Sequence, residues 1–553
     1  MLNFVEKKRL ALAEKCLYFG KFEYVEIIIS KLLEEDKNNA ELLKEVSILY
    51  LKMKNYKAAQ FVMKKSFDLE KTVEGLNLLA NINMNCGNFE DAAIQFEELI
   101  KHDPSIEIYN SCIKAYQELN IDEEALRISK QYVEDIGDAN AYANLFFIYV
   151  TMGMEKESIE TCEVIKKKFP NHPVTYSTIA FLYETIYNDY ETAKEYFKKA
   201  AKLGFIESYY NLGVCCKQSE DFENAEKYLK KLISLASNSQ MDYNYTLGSV
   251  YMAQRKLRLG YKYYLNRKSS QELNYRNKNN LWDGKDYPDK ILYVSSEQGL
   301  GDNIQFIRFI PEAAKKFKKV IYSVNENLVE LFQRSYKKYK NIEIVPNGIN
   351  VRYHKFALIM DLPYLLHTNF HNIPSAESYL ECNEEKQEIF KTKYFNNENC
   401  KIGLCWRAKG MGLRDAVYRT IDAPYYFRKL FDLSNVNYYS FQFGDIFGMC
   451  EKYPQIIDLQ SDIKTFDDTA ALLKNLDILI TVDTALAHIA GALGVKTYLL
   501  LCHAPDWRWF ENNKKTEWYP SITIIKQQDR KTWEDVSEKL VEYITEDLKK
   551  YKK

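Results

Sequence analysis

The chain predicts two architectures in series: an α-helical repeat array over residues 1–267, then an α/β region of doubly wound parallel sheets from residue 285 onward. Three observations predict this. A small residue recurs every 32 to 35 positions through the first half, with bulky residues at fixed offsets around it. A polar run, "KSSQELNYRNKNN", follows Arg267. Beyond it, short apolar runs alternate with segments of helical period.

The first element is the repeat. Val25, Ala59, Ala92, Ala125, Ser158, Ala193, Ala225 and Gly260 fall in register. Three positions before the anchor stand Phe22, Tyr56, Phe89, Tyr190 and Phe222, and four after it Ile29, Met63, Phe96, Phe197, Leu229 and Tyr264. Gly20, Gly87 and Gly153 mark a turn inside the unit, and Pro104 and Pro170 mark ends. A small residue lets two antiparallel helices approach, and the bulky ones fill the groove beside it. A single such unit cannot bury its own apolar face, so units stack. The pattern over residues 5–267 resembles the tetratricopeptide repeat. It implies a superhelix whose concave surface takes a protein or peptide.

The 553 residues carry 76 Lys and Arg against 77 Asp and Glu, a formal charge of -1. This balance gives no reason to expect nucleic acid or a membrane surface as partner. The eleven cysteines form no C-x-x-C pair. They read as free thiols in a reducing compartment. The first twenty residues lack the apolar core of a signal peptide. The charge-free run 484–495 is too short to span a bilayer. A cytoplasmic protein without a membrane span is expected.

Residues 268–284 read as a linker. Beyond it, strands are expected at 291–294, 320–324, 342–345, 357–360, 402–405, 438–441, 478–482 and 497–501. Helices are expected at 303–317, 326–337, 424–432, 467–475, 484–493 and 532–549. This rhythm makes two subdomains, 285–395 and 396–553, facing each other across a cleft lined by strand carboxyl ends.

Four corners carry the candidate chemistry. "EQGLGD" offers Gln298, Gly299, Gly301 and Asp302 after the first strand. A carboxylate at a helix start repels phosphate, and the G-x-x-x-x-G-K-[ST] pattern is missing. Asp302 is therefore either a helix cap or a group that takes a proton from an acceptor. "LCWRAKGMGLRDAVYRT" offers Arg407, Lys409, Arg414 and Arg419, of which Arg407 and Lys409 are favoured as diphosphate cations. "SFQFGD" offers Gln442 and Gly444. "VDTALAHIAGALG" offers Asp483 and Thr484 at a helix start, with His488 one turn on. Its run of Ala and Gly makes a slim helix whose amino end suits a diphosphate. By spacing alone His488 is equally a satisfied core histidine. The tryptophans of "APDWRWF" and "EWYP" either stack on a ligand or fill a domain interface.

Together "EQGLGDNIQFIRFIP", "LCWRAKG", "SFQFG", "FDDTAALLKNLDILITVDTALAHIAGALG" and "APDWRWF…WYP" resemble the family-9, heptosyltransferase-like glycosyltransferases, over residues 282–535. The resemblance implies the GT-B fold and an inverting, metal-independent transfer from a nucleotide-sugar co-substrate, with no other cofactor. It implies Asp302 as base, and Asp483, Thr484 and His488 at the donor's diphosphate. It also implies Gln442 and Gly444 near the nucleotide. Ala485 stands where that family commonly has Gly, and Trp406-Arg407-Ala408 replaces its Trp-x-Gly; both bear on the donor sugar. The expected function is sugar transfer to a protein acceptor recruited by the repeats, such as a flagellar or surface protein. Two alternatives stand beside it: glycan or lipid-linked sugar synthesis with the repeats used for homo-oligomerisation, and a repeat scaffold carrying an inactive transferase-like domain.

Overall fold

The computed structural model describes residues 2–236, 243–267, 280–374, 377–408, 419–421, 424–444, 448–509, 514–530 and 532–551. Most of the expected linker, 268–279, lies outside the described residues, as do Lys409 and Arg414. The chain forms two compact units, Met1–Ser208 and Tyr209–Lys553. The division falls inside the repeat array, so the last two hairpins belong to the same unit as the sheets.

In the first unit, helices pair into antiparallel hairpins from Phe4–Tyr18 and Phe22–Glu35 through Pro173–Thr185 and Tyr190–Lys202. Each repeat anchor lies in the first turn of the second helix of its hairpin. Val25, Ala59, Ala92, Ala125, Ser158 and Ala193 have no exposed surface. Ile29, Met63, Phe96 and Phe197, one turn on, are buried beside them. The reversal between the two helices uses one residue in the left-handed region, always five positions before the anchor: Gly20, Lys54, Gly87, Asn120, Gly153 and Asn188. Glycine is expected there because only it adopts this conformation without cost. Glu220 and Arg255 hold the same place in the second unit, in the hairpins Ser208–Gln218/Phe222–Leu235 and Tyr243–Ala253/Leu257–Tyr264.

The first sheet contains β1 (Tyr287–Ser295), β2 (Phe317–Val324), β3 (Ile342–Pro346) and β4 (Lys355–Leu358), all parallel, in the order β3-β2-β1-β4. The second contains β5 (Cys400–Cys405), β6 (Val436–Ser440), β7 (Ile456–Asp458), β8 (Ile478–Val482), β9 (Thr497–Leu501) and β10 (Ile522–Lys526), also parallel, in the order β10-β9-β8-β5-β6-β7. Two strands, β7 and β10, and the helix Glu384–Tyr394 join those expected. The expected helix 303–317 begins and ends three residues earlier and is broken. It starts at Leu300, passes through a 3-10 turn at Ile307–Phe309, resumes at Ile310–Ala314, and leaves Phe317 to β2. Pro311, which has no N–H to donate, sits at this restart. The strand expected at 357–360 ends at Leu358 and turns into a 3-10 segment at Ile359–Asp361.

One apolar core runs through both sheets and the last hairpin. It includes Met252, Leu257, Tyr261 and Tyr264 from the repeats, Leu292 and Val294 from β1, and Leu479 and Leu499 from the second sheet. In each sheet, the order in which strands are added reverses beside a central strand: between β1 and β4 in the first, between β5 and β8 in the second. Ligands in open parallel sheets bind outside the strand carboxyl ends at such points. Three of the four candidate corners, those after β1, β5 and β8, lie there.

None of the cysteines is in a disulfide and none is exposed. Among the described residues no helix is long and apolar enough to cross a membrane.

Candidate functional site

The corner after β1 is held from beneath. Gln298 adopts the left-handed region, at φ 60°. Gly299 caps the helix Leu300–Phe306. Asn303 donates to the carbonyls of Glu297, at 3.1 Å, and Gly299, at 2.8 Å, and accepts from the Tyr322 hydroxyl at 2.7 Å. Asp302 is the third residue of the helix, and its Oδ2 accepts the Gly299 N–H at 3.0 Å. This is the carboxylate half of a capping box. Its Oδ1 pairs with the Arg508 guanidinium.

Behind the corner stands a buried charge cluster that the sequence does not announce. Arg267, just past the last repeat helix, makes a two-pronged pair with Glu297 and reaches Asp361 Oδ1 at 2.8 Å. The three side chains are between 1 % and 8 % exposed. Glu297 also accepts the Met360 N–H. The residue that opens "EQGLGD" is therefore held by the residue that follows the last hairpin.

In the corner after β8, Thr484 is the cap of the helix Ala485–Ala492, and its hydroxyl accepts the Leu486 N–H at 3.2 Å. Asp483 is buried, and burial pushes its carboxyl up to about 6, while Arg419, 3.8 Å away, pulls the other way. His488 is 5 % exposed. Its Nδ1 and the Tyr519 hydroxyl lie 2.9 Å apart, and its ring stacks on Trp509 with centroids at 5.1 Å. Burial pushes the imidazole down to about 3, with the positive charges of Arg508 and Arg308 adding to it. His488 is thus a neutral, hydrogen-bonded group at the base of the corner.

The two corners touch. The helices Leu300–Phe306 and Ala485–Ala492 pack directly. A Cβ at Gly301 would stand 2.8 Å from the His488 ring and 3.5 Å from the Ala485 Cα. Gly301 and the small residues of the second helix serve this approach.

The remaining candidates brace the strand ends. Gln442 Oε1 accepts the N–H groups of Trp406, at 3.2 Å, and Arg407, at 2.9 Å, tying the end of β6 to the end of β5. Gly444 is left-handed, and its N–H donates to Gln460 Oε1 at 2.8 Å. The buried Cys405 thiol donates to Gln442 Oε1 at 3.6 Å and to the Arg407 carbonyl at 3.8 Å, a further tie between the ends of β5 and β6. The structure thus gathers Gly299, Gly301, Asp302, Asp483, Thr484 and His488 at one contact, with Arg407, Gln442 and Gly444 along the adjoining strand ends.

The tryptophans are interior. Trp507 packs edge-on against Tyr261 and Tyr264 of the last hairpin, and Trp518 lies against Phe306 and under Arg308. Sequence reasoning missed Arg508, although it stands between two of the noted tryptophans. A single arginine has no spacing signature, and its partner Asp302 is 206 residues away.

The tetratricopeptide repeat model matches residues 206–239. One unit of the helical array, residues 206–239, is thus a tetratricopeptide repeat, and the other hairpins share its anchor register. Protein FlbA of Caulobacter vibrioides is 23 % identical over 287 residues, which are 46 % of this chain and 46 % of FlbA. The chain therefore spans about half the length of this curated relative. A tetratricopeptide repeat protein from Parabacteroides merdae covers 44 % of this chain and 97 % of its own, at 15 % identity and a TM-score of 0.34. Yeast Tom70 covers 47 % of this chain and 59 % of its own, at 15 % identity and a TM-score of 0.34.

Proposed function

We propose that the sheet region is a GT-B glycosyltransferase that moves a sugar from a nucleotide-sugar to an acceptor hydroxyl. In this reading the transfer inverts the anomeric centre and needs no metal, and the tetratricopeptide repeats recruit a protein acceptor. The observation that carries the reading is the contact of Gly301 with His488, where the strand ends at both topological switch points converge. Asp302 is the base for the acceptor oxygen. The amino end of the helix Ala485–Ala492 and the nearby arginines offset the departing diphosphate.

The first test is a thermal-shift screen with UDP-, GDP-, ADP- and dTDP-sugars, since a binder raises the melting temperature with its excess over Kd. The second is the Asp302→Asn variant, which can still accept the Gly299 N–H. Loss of sugar transfer with an intact fold is the expected result. Transfer near the wild-type rate would remove Asp302 from the role.

A second reading has an observation of its own. Both oxygens of Asp302 are engaged, by Gly299 and by Arg508, as a structural carboxylate in a non-catalytic scaffold would be. Hydrolysis of a nucleotide-sugar by the purified protein separates the two readings.

A further inference from the structure

One side chain joins the proposed base to the proposed diphosphate corner. Arg508 is 13 % exposed and holds Asp302 with one arm of its guanidinium and Asp506 Oδ1, at 2.7 Å, with the other. Its Nε is buried and has no acceptor among the described residues. Its plane lies 4.7 Å from the centre of the Trp507 ring, which is itself wedged against Tyr261 and Tyr264. The charge of Arg508 is felt across the contact: it helps to keep His488 neutral and opposes the burial-driven rise at Asp483. A planar fork of N–H donors suits a diphosphate as well as it suits a carboxylate.

We propose that Arg508 is shared between Asp302 and the donor's diphosphate, so that a nucleoside diphosphate entering the Thr484 corner takes Arg508 as its counter-cation and releases the Asp302 carboxylate to act as base. This rests on the nucleotide-sugar reading of the sheet region. While Arg508 holds Asp302 Oδ1, that oxygen already accepts an N–H and is not open to an acceptor hydroxyl. The diphosphate carries more charge and can accept two parallel N–H bonds. Base activation therefore follows donor binding, and the acceptor is deprotonated only when a leaving group is in place. Arg508 is a positioning residue with respect to Asp302.

Sharing has a reciprocal consequence. Whatever the diphosphate costs the Arg508–Asp302 pair, the pair costs the diphosphate. The test is calorimetric titration of the full-length protein with UDP, GDP, ADP and dTDP, using wild type, Asp302→Asn, Arg508→Gln and the double variant. The best-bound diphosphate should bind Asp302→Asn about fivefold or more tightly than wild type. Arg508→Gln should bind it about tenfold or more weakly. The double variant should show no gain over Arg508→Gln alone. Removing a negative charge can by itself favour an anion, so the decisive result is that the gain of Asp302→Asn disappears in the Arg508→Gln background; a gain that persists there overturns the sharing. Diphosphate binding that is unchanged or weakened in Asp302→Asn overturns the sharing while leaving the transferase reading in place. Failure of wild type to bind any of the four overturns that reading, and the sharing with it.

Discussion

Gly301 and His488 stand on helices that follow strands of different sheets and lie 187 positions apart, yet a single added carbon on Gly301 would press to 2.8 Å of the His488 ring. The ring cannot retreat freely. It is stacked on Trp509 and bonded to Tyr519. Gly301→Ala should therefore separate the two corners at a cost of about 1–3 kcal/mol. A chemical-denaturation curve reads this directly. A variant as stable as wild type would mean the contact is not tight.

Asp483 and His488 predict opposing responses to acid. The His488 imidazole, at about 3 in the fold and 6.5 ordinarily, stays neutral while the unfolded chain takes up a proton. Its contribution to stability is present above 6.5 and is lost as pH falls toward 3. The Asp483 carboxyl, at about 6 in the fold against 3.8, keeps its proton while the unfolded chain releases one. Its contribution is present below 3.8 and is lost as pH rises through 6. The two slopes offset between pH 4 and 6. Relative to wild type, His488→Gln should gain stability at pH 4 against pH 6, and Asp483→Asn should lose it, by up to about 1.4 kcal/mol per pH unit. Melting curves that run parallel to wild type in both variants would refute the assignment.

The Arg267 cluster predicts a strong asymmetry between breaking and replacing it. Arg267→Met alone leaves Glu297 and Asp361 buried without their cation and should cost about 3–5 kcal/mol. Replacing all three residues with apolar ones of similar volume should restore most of that stability, since the desolvation of the charges is removed as well. Urea unfolding of the single and triple variants measures both. Equal losses in the two would show that the cluster is not primarily electrostatic.

The left-handed register in the repeats predicts a purely backbone effect. A Cβ at Gly87 would meet nothing within 4 Å, but its φ is +78°. Gly87→Ala should cost about 1–2 kcal/mol from conformation alone. Lys54 holds the equivalent place at φ 56°, and Lys54→Gly should change stability in the opposite direction, by about 0.5–1 kcal/mol. Thermal melts of the two variants shifting in the same direction would contradict the shared geometry.

Much of this was legible in the chain. The anchors from Val25 to Gly260 fix the hairpins because a helix pair needs a small residue at its closest approach, and that need recurs at each repeat. Only three of the eight left-handed turn positions were visible, those occupied by Gly20, Gly87 and Gly153. At Lys54, Asn120, Asn188, Glu220 and Arg255 the hairpin imposes the conformation on a residue that does not advertise it. The strand β8 and the helix start at Thr484 were readable from local apolar runs and a capping residue. The strand β7 escaped because it has three residues, and β10 because it lies at the edge of its sheet and carries a mixed pattern. Asp302 was readable as an acid at a helix start, but its pairing with Arg508 was not.

By itself the sequence determined the repeat register, the parallel strand-and-helix rhythm and the residues that stand at strand ends, because these depend on periods of a few residues and on local backbone chemistry. Only the tertiary structure decided which strand ends meet. It set Gly301 against His488, made His488 neutral by burying it, gave Asp302 to Arg508, and tied "EQGLGD" to the end of the last hairpin through Arg267. Each of these joins groups from 30 to 206 residues apart. The physical reason is that burial and ion pairing act through space: a side chain's charge state and partner are set by whatever the fold packs around it, and neither is encoded in its neighbours along the chain.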